Sequence, residues 1–208
     1  LFILAGGFLA AMTVQGFTDG RERRRIRRIM GQYVSPAVLT SLLGDRSYDR
    51  LKAEVGSERY LTLFFSDLRG FTGITEQYPV ETVVKALNTY VSRMVGIIFD
   101  RGGTLDKFIG DAVMAFWGAP LAVERQHHQA VSAALEMQKA MGPLNHSGLP
   151  QGYPELRMGI GIHSGSVILG NIGSTKKLDY TVIGDSVNFT SRLESLTKFY
   201  NAKVLISE

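Results

Sequence analysis

The stretch "GTLDKFIGDAVMAFWG", residues 103–118, reads as two short strands, "TLDKFI" and "AVMAFW", joined tightly at Gly110-Asp111. So apolar a hairpin belongs in a core, yet it holds Asp106, Lys107 and Asp111. Ionisable groups in such a setting need partners or a function. Working outward, "YLTLFFSDL" is a strand. Over residues 79–99, Val80, Val83, Val84, Leu87, Tyr90, Val91, Met94, Val95 and Ile98 recur at helical spacing, and "RGG" stops that helix. After the hairpin, residues 124–141 form a second helix, followed by a Gly/Pro-rich loop. "LRMGIGIHSG" and "SVILGNIG" read as two strands around a turn, and "YTVIG" as another. "SVNFTSRLESLTKF" is a helix with Asp185 as its N-cap, and "AKVLIS" a last strand. The order β-α-β-β-α-β-β-β-α-β predicts an α+β fold, a mostly antiparallel sheet covered by helices.

With 208 residues, 45% of them hydrophobic and 20% charged, the chain can build one sizeable core with some length left over. It has no cysteine, which excludes disulfides and thiolate metal sites. A pI of about 9.4 suggests nucleic acid at first sight. The charge is local, however. "RERRRIRR" carries six arginines and one glutamate, net +5, whereas the whole chain is +4, so the remainder is about −1. A nucleic-acid-binding domain spreads its basic residues over a folded face, and none is expected here.

The arginines follow "LFILAGGFLAAMTVQGF" directly. Apolar residues capped by arginines resemble the cytoplasmic end of a transmembrane helix, whereas a signal peptide carries its charges first. This predicts a membrane end at 1–20, a basic helical linker at 21–56 and a globular domain at 57–208, cytoplasmic at a cell membrane. A buried N-terminal helix is the alternative. The linker either couples the membrane part to the domain or is a passive spacer. The leucine at position 1 suggests a piece of a longer protein.

Asp67 ends the first strand and Asp111 sits at the hairpin turn, so neighbouring strands bring two carboxylates together. Such a pair suits a hard divalent cation. Gly70 and Gly73 then turn the chain into a helix whose free amides suit a polyphosphate. Metal ligands beside a phosphate cradle point to nucleotide chemistry. Singly, each aspartate is also an ordinary cap or turn residue. Asn188 and Arg192, four apart, share a helix face. Phe189, Leu193, Leu196 and Tyr200 are expected to form the core face beside them, with Asn188 and Arg192 at its edge or simply solvated.

"FFSDLRGFTGITE", "GGTLDKFIGDAVMAFWGAP", "RMGIGIHSGSVILGNIGS" and "DYTVIGDSVNFTSRLES", in this order, closely resemble the class III nucleotidyl cyclase domain from about residue 57 to the end. "GQYVSPAVL" and the arginine run are similar to the connector of its membrane-bound bacterial members. The resemblance implies a ferredoxin-like, palm-type core. It implies that Asp67, Asp111 and the Leu68 carbonyl bind two Mg²⁺ or Mn²⁺ ions, and that Phe71, Thr72 and Gly73 hold the β- and γ-phosphates. Lys107 and Thr181 match base-reading residues, Asn188 the residue that orients the ribose, and Arg192 the arginine that stabilises the transition state. The family's site is shared across a head-to-tail homodimer. One protomer would supply Asp67 and Asp111, and the other Lys107, Thr181, Asn188 and Arg192. A further phosphate-contacting lysine belongs to a segment beyond Glu208, and Lys203 does not match it.

The expected activity is adenylate cyclase, ATP to cyclic AMP and pyrophosphate. Lys107 is donor-only and suits adenine N1, whereas guanine N1–H would oppose it. Guanylate cyclases of the family usually carry glutamate there. Thr181 can donate or accept and leaves base choice less settled. A guanylate cyclase and a non-catalytic relative are the rival readings.

Overall fold

The computed structural model describes residues 56–174 and 177–208. The membrane-end and linker readings for residues 1–55 lie outside them. Among the described residues no helix is long and apolar enough to cross a membrane.

Six strands form one sheet: β1 (Ser57–Leu68), β2 (Thr104–Ile109), β3 (Ala112–Trp117), β4 (Met158–Ser174), β5 (Lys177–Ile183) and β6 (Val204–Ile206). Their order is β2-β3-β1-β4-β5, antiparallel throughout, with β6 pairing parallel to β4. Among the described residues four α-helices accompany it: α1 (Phe71–Gln77), α2 (Val80–Asp100), α3 (Gln126–Pro143) and α4 (Asp185–Phe199). The α+β expectation holds.

The middle of β1, Leu61–Ser66, is buried on both faces, which is why Leu61, Leu63, Phe64 and Phe65 crowd together there. Successive side chains point to opposite faces of a strand. Phe64 joins Tyr90, Met94, Ile98, Trp117 and Met137 under α2 and α3. Leu63 and Phe65 join Met114, Phe116, Val167 and Val182 on the other side. α2 buries Val83, Ala86, Tyr90, Met94, Ile97 and Ile98, close to the expected stripe, but Val80 and Val84 fall outside it. α3 starts at Gln126 and runs into a π-helical turn, Leu144–Gly148, where a loop was expected.

Three expectations about β4 and α4 are corrected. "LRMGIGIHSG" and "SVILGNIG" are not two strands around a turn: β4 is one strand of 17 residues. Its glycines serve packing, not turning. A Cβ on Gly161 would lie 2.4 Å from the Glu194 backbone nitrogen, and one on Gly165 2.4 Å from Ser186 Oγ, both on α4. The second correction follows from the first. α4 lies so close to β4 that its inner face is the polar set Thr190, Glu194 and Thr197. Phe189 (46%), Leu196 (43%) and Tyr200 (65%) are exposed, not core. Asp185 is the first residue of α4 and not its cap: Gly184 holds that place, with no side-chain cap bond. Gly161→Ala should therefore cost about 1–3 kcal/mol, since the obstacle is helix backbone and not a movable side chain. A chemical-denaturation midpoint at wild-type level would contradict this.

Candidate active site

Asp67 is the penultimate residue of β1 and faces Gly159 in β4. β1 also pairs with β3, which brings the β2–β3 turn alongside. The Leu68 amide donates to Asp111 Oδ2 at 3.2 Å. The two aspartates thus meet as expected. Burial first, then the charges of Asp111 and Glu194, push the Asp67 carboxyl up to about 6. Glu194 reaches this corner from the inner face of α4, 3.8 Å from the Arg69 guanidinium. Arg69 also donates to Thr197. Neither Arg69 nor Glu194 was legible from spacing, because the face α4 buries is set by the glycines of β4.

Among the described residues no three histidine or acidic side chains converge as a metal cluster. Two half-buried carboxylates that repel each other still fit a divalent cation. Mg²⁺ takes one or two carboxylates and keeps its other positions for water and phosphate.

The raised Asp67 value sets a pH dependence. An acid whose folded value exceeds its unfolded one binds more protons when folded, so metal-free stability falls as pH rises from about 4 to 6. Asp67→Asn removes that penalty. It should raise the melting temperature of metal-free protein at pH 7, an effect on the order of 1–2 kcal/mol after solvent screening, while abolishing activity. An unchanged or lower melting temperature would count against the repulsion.

Beyond Asp67, Gly70 takes a left-handed conformation (φ 67°) and caps α1. The Gly73 amide bonds the Gly70 carbonyl at 3.1 Å. Phe71 and Thr72 open the helix, where amides lack intrahelical acceptors.

A separate cavity of about 440 Å³ brings together Lys107, Thr181 and Asn188, with Phe65, Met114 and Val182 as apolar walls. Asn188 also edges a neighbouring cavity with Arg192, His163 and Phe189. Neither Asp67 nor Asp111 lines either cavity. Arg192 is exposed and, among the described residues, has no ion-pair partner. The expected site residues therefore fall into two sets within one chain. One further residue joins the second set: Asp106, bonded to Thr181 and beside Lys107.

Known proteins resemble this chain in sequence and fold. The adenylate and guanylate cyclase catalytic domain model matches residues 54–208. An adenylate cyclase of Anabaena cylindrica is 36% identical over 177 residues, covering 83% of this chain and 34% of that protein. The crystal structure of the adenylyl cyclase CyaB from P. aeruginosa is 38% identical with a TM-score of 0.68, covering 74% of this chain and 79% of that one. The guanylyl cyclase Cya2 is 44% identical with a TM-score of 0.65, covering 67% and 71%. The chain spans about a third or less of the curated relatives it matches first. Across residues 54–208, which include both sets of site residues, the chain belongs to the adenylate and guanylate cyclase catalytic-domain family.

Proposed function

We propose that the chain is the catalytic domain of an adenylate cyclase, which converts ATP to 3′,5′-cyclic AMP and pyrophosphate at sites shared by two copies in a head-to-tail homodimer. The observation that carries this reading is the division of the site. The carboxylate pair lies apart from the cavity of Lys107, Thr181 and Asn188. A homodimer that brings one protomer's pair to its partner's cavity makes two equivalent sites. The exposed apolar residues Phe108, Ile109, Ile183 and Phe189 give such a contact its apolar surface.

Asp67, Asp111 and the Leu68 carbonyl would hold two divalent cations, Mg²⁺ or Mn²⁺. Bound there, the cations would lower the pKa of the ribose 3′-hydroxyl and neutralise the triphosphate. Phe71 and Thr72 offer amides to the β- and γ-phosphates, with Gly73 shaping the turn. Asn188 orients the ribose so that its 3′-oxygen is in line with the α-phosphate. Arg192 stabilises the charge that builds on the α-phosphate as pyrophosphate leaves. Lys107 donates to adenine N1 and opposes guanine N1–H.

The guanylyl cyclase Cya2, at 44% identity, keeps GTP as the second reading. It is opposed by the lysine at position 107. The membrane end at 1–20, the linker and a cytoplasmic domain are part of the same proposal, supported by the arginine run. Cyclic nucleotide formation by the full-length protein, with ATP and GTP in parallel and Mg²⁺ or Mn²⁺ present, tests the function. Cyclic AMP with little cyclic GMP supports it. Neither product from a folded dimer refutes it in favour of a non-catalytic relative.

A further inference from the structure

Asp106 has no part in the chemistry above, yet its carboxylate lies buried directly behind Thr181, which lines the base cavity. The Asp106 side chain is 1% exposed. Strand alternation would send Asp106 and Lys107 to opposite faces. The pairing of β2 with β3 slips between Leu105 and Lys107, and Asp106 is the bulged residue. Bulges re-aim side chains, and this one turns Asp106 toward β5, at the far end of the strand order.

Both Asp106 oxygens lie close to Thr181 Oγ1, at 2.9 Å for Oδ1 and 2.7 Å for Oδ2. The Val182 amide donates to Oδ2 at 3.5 Å, and Lys107 Nζ is 3.4 Å from Oδ1. Each oxygen thus faces a group that can only donate, so the carboxyl acts as an acceptor. Burial pushes its pKa up, while Thr181, Lys107 and Val182 pull the other way by favouring the charged form. A hydroxyl has one proton and two lone pairs. Thr181 gives its proton to Asp106 and keeps only lone pairs for a ligand.

We infer that Asp106 is a positioning residue that fixes Thr181 as a hydrogen-bond acceptor, so that the cavity selects a purine with a 6-amino donor over one with a 6-oxo acceptor. The inference rests on the adenylate cyclase reading and deepens it. Thr181 alone is neutral between the bases. Held by Asp106, it accepts from the adenine amino group and repels guanine O6. With Lys107 donating to N1, Lys107 and Thr181 together present one donor and one acceptor to the base. Adenine matches both and guanine opposes both. Selection by mispaired buried groups is the strong kind.

The test measures kcat/KM for ATP and GTP with the full-length protein. Both oxygens of Asp106 touch Thr181 Oγ1, so in Asp106→Asn either orientation of the amide sets an N–H₂ donor against the hydroxyl oxygen. The amide oxygen also stays in reach, but the hydroxyl can now accept from the N–H₂ and turn its own proton to guanine O6. The ATP-to-GTP preference should fall about tenfold to a hundredfold, the range of one mispaired hydrogen bond. Thr181→Val should also erode it, and Thr181→Ser should keep it. Adding Asp106→Asn to Thr181→Val should leave the ratio where Thr181→Val alone puts it, because no hydroxyl remains to orient. A merely structural role for Asp106 would lower both substrates alike. A folded Asp106→Asn protein with the wild-type ratio overturns the inference, as does an equal shift in the Thr181→Val background. If Asp106→Asn does not fold, Thr181→Val decides, and an unchanged ratio there overturns it. Wild type that makes cyclic AMP beside an unmoved variant ratio sinks this inference alone. Wild type that makes no cyclic nucleotide sinks the cyclase reading and this inference with it.

Discussion

Arg192→Ala should lower kcat by about 10²–10³-fold, the loss of about 3–4 kcal/mol when a preorganised donor is removed from developing charge. Asp67→Ala should be at least as inactive, because it halves the carboxylate set that would hold the cations. The informative result comes from mixing. If one site takes its acids from one protomer and Arg192 from the other, a heterodimer of the two variants has one site with both lesions and one with neither. Random pairing makes about half of all dimers mixed, so an equimolar mixture should regain about a quarter of wild-type activity. The readout is cyclic nucleotide formed per total protein, with heterodimer content measured by tagging one variant. Heterodimers without recovery would sink the shared site. They would leave the cyclase chemistry itself to be judged by wild type.

Trp117→Ala should be the most destabilising single change, at about 3–5 kcal/mol. Trp117 is fully buried at the end of β3 and packs edge-on against Phe64, with ring centroids 5.8 Å apart. Its indole N–H donates to the Arg101 carbonyl at 2.9 Å. Gly103 has no room for a Cβ because the indole ring would lie 2.6 Å away. Truncation leaves a cavity between β3 and α2 and strips the Arg101 carbonyl of its donor. Trp117→Phe should recover part of the loss by filling volume, without restoring the hydrogen bond. Thermal unfolding and denaturant titration of the two variants check the order. Alanine and phenylalanine costing the same would mean that the hydrogen bond, not the volume, carries the effect.

The hairpin was the most legible part of the chain. Its apolar strands, the turn at Gly110 and the meeting of Asp111 with Asp67 all follow from local patterns that the sheet keeps. What stayed hidden depends on distant backbone. Gly161 and Gly165 look like turn residues in isolation, and only the closeness of α4 shows that they clear space for a helix. For the same reason the apolar stripe of α4 misleads. Phe189, Leu196 and Phe199 point outward, while Thr190, Glu194 and Thr197 occupy the tight seam. The partnership of Asp106 with Thr181 spans 75 positions and depends on a one-residue bulge. No periodicity could announce it.

The single strand β4 has a dynamic consequence. At its start, β4 is hydrogen-bonded between β1 and β6, and near its end β5 takes over from β6 on the same edge. Gly159 faces Asp67 and Gly170 faces Thr181, so one continuous strand underlies both sets of site residues. Where strands pair with it on both edges, its amides can exchange with solvent only when neighbouring strands part, which makes β4 the natural centre of one cooperative opening unit. Deuterium uptake should be slow at 160–162 and 168–169, where both edges are paired, and faster over 163–167, which pair with β1 alone. A loosening introduced under the acids, as at Gly161, should speed exchange under the base cavity as well.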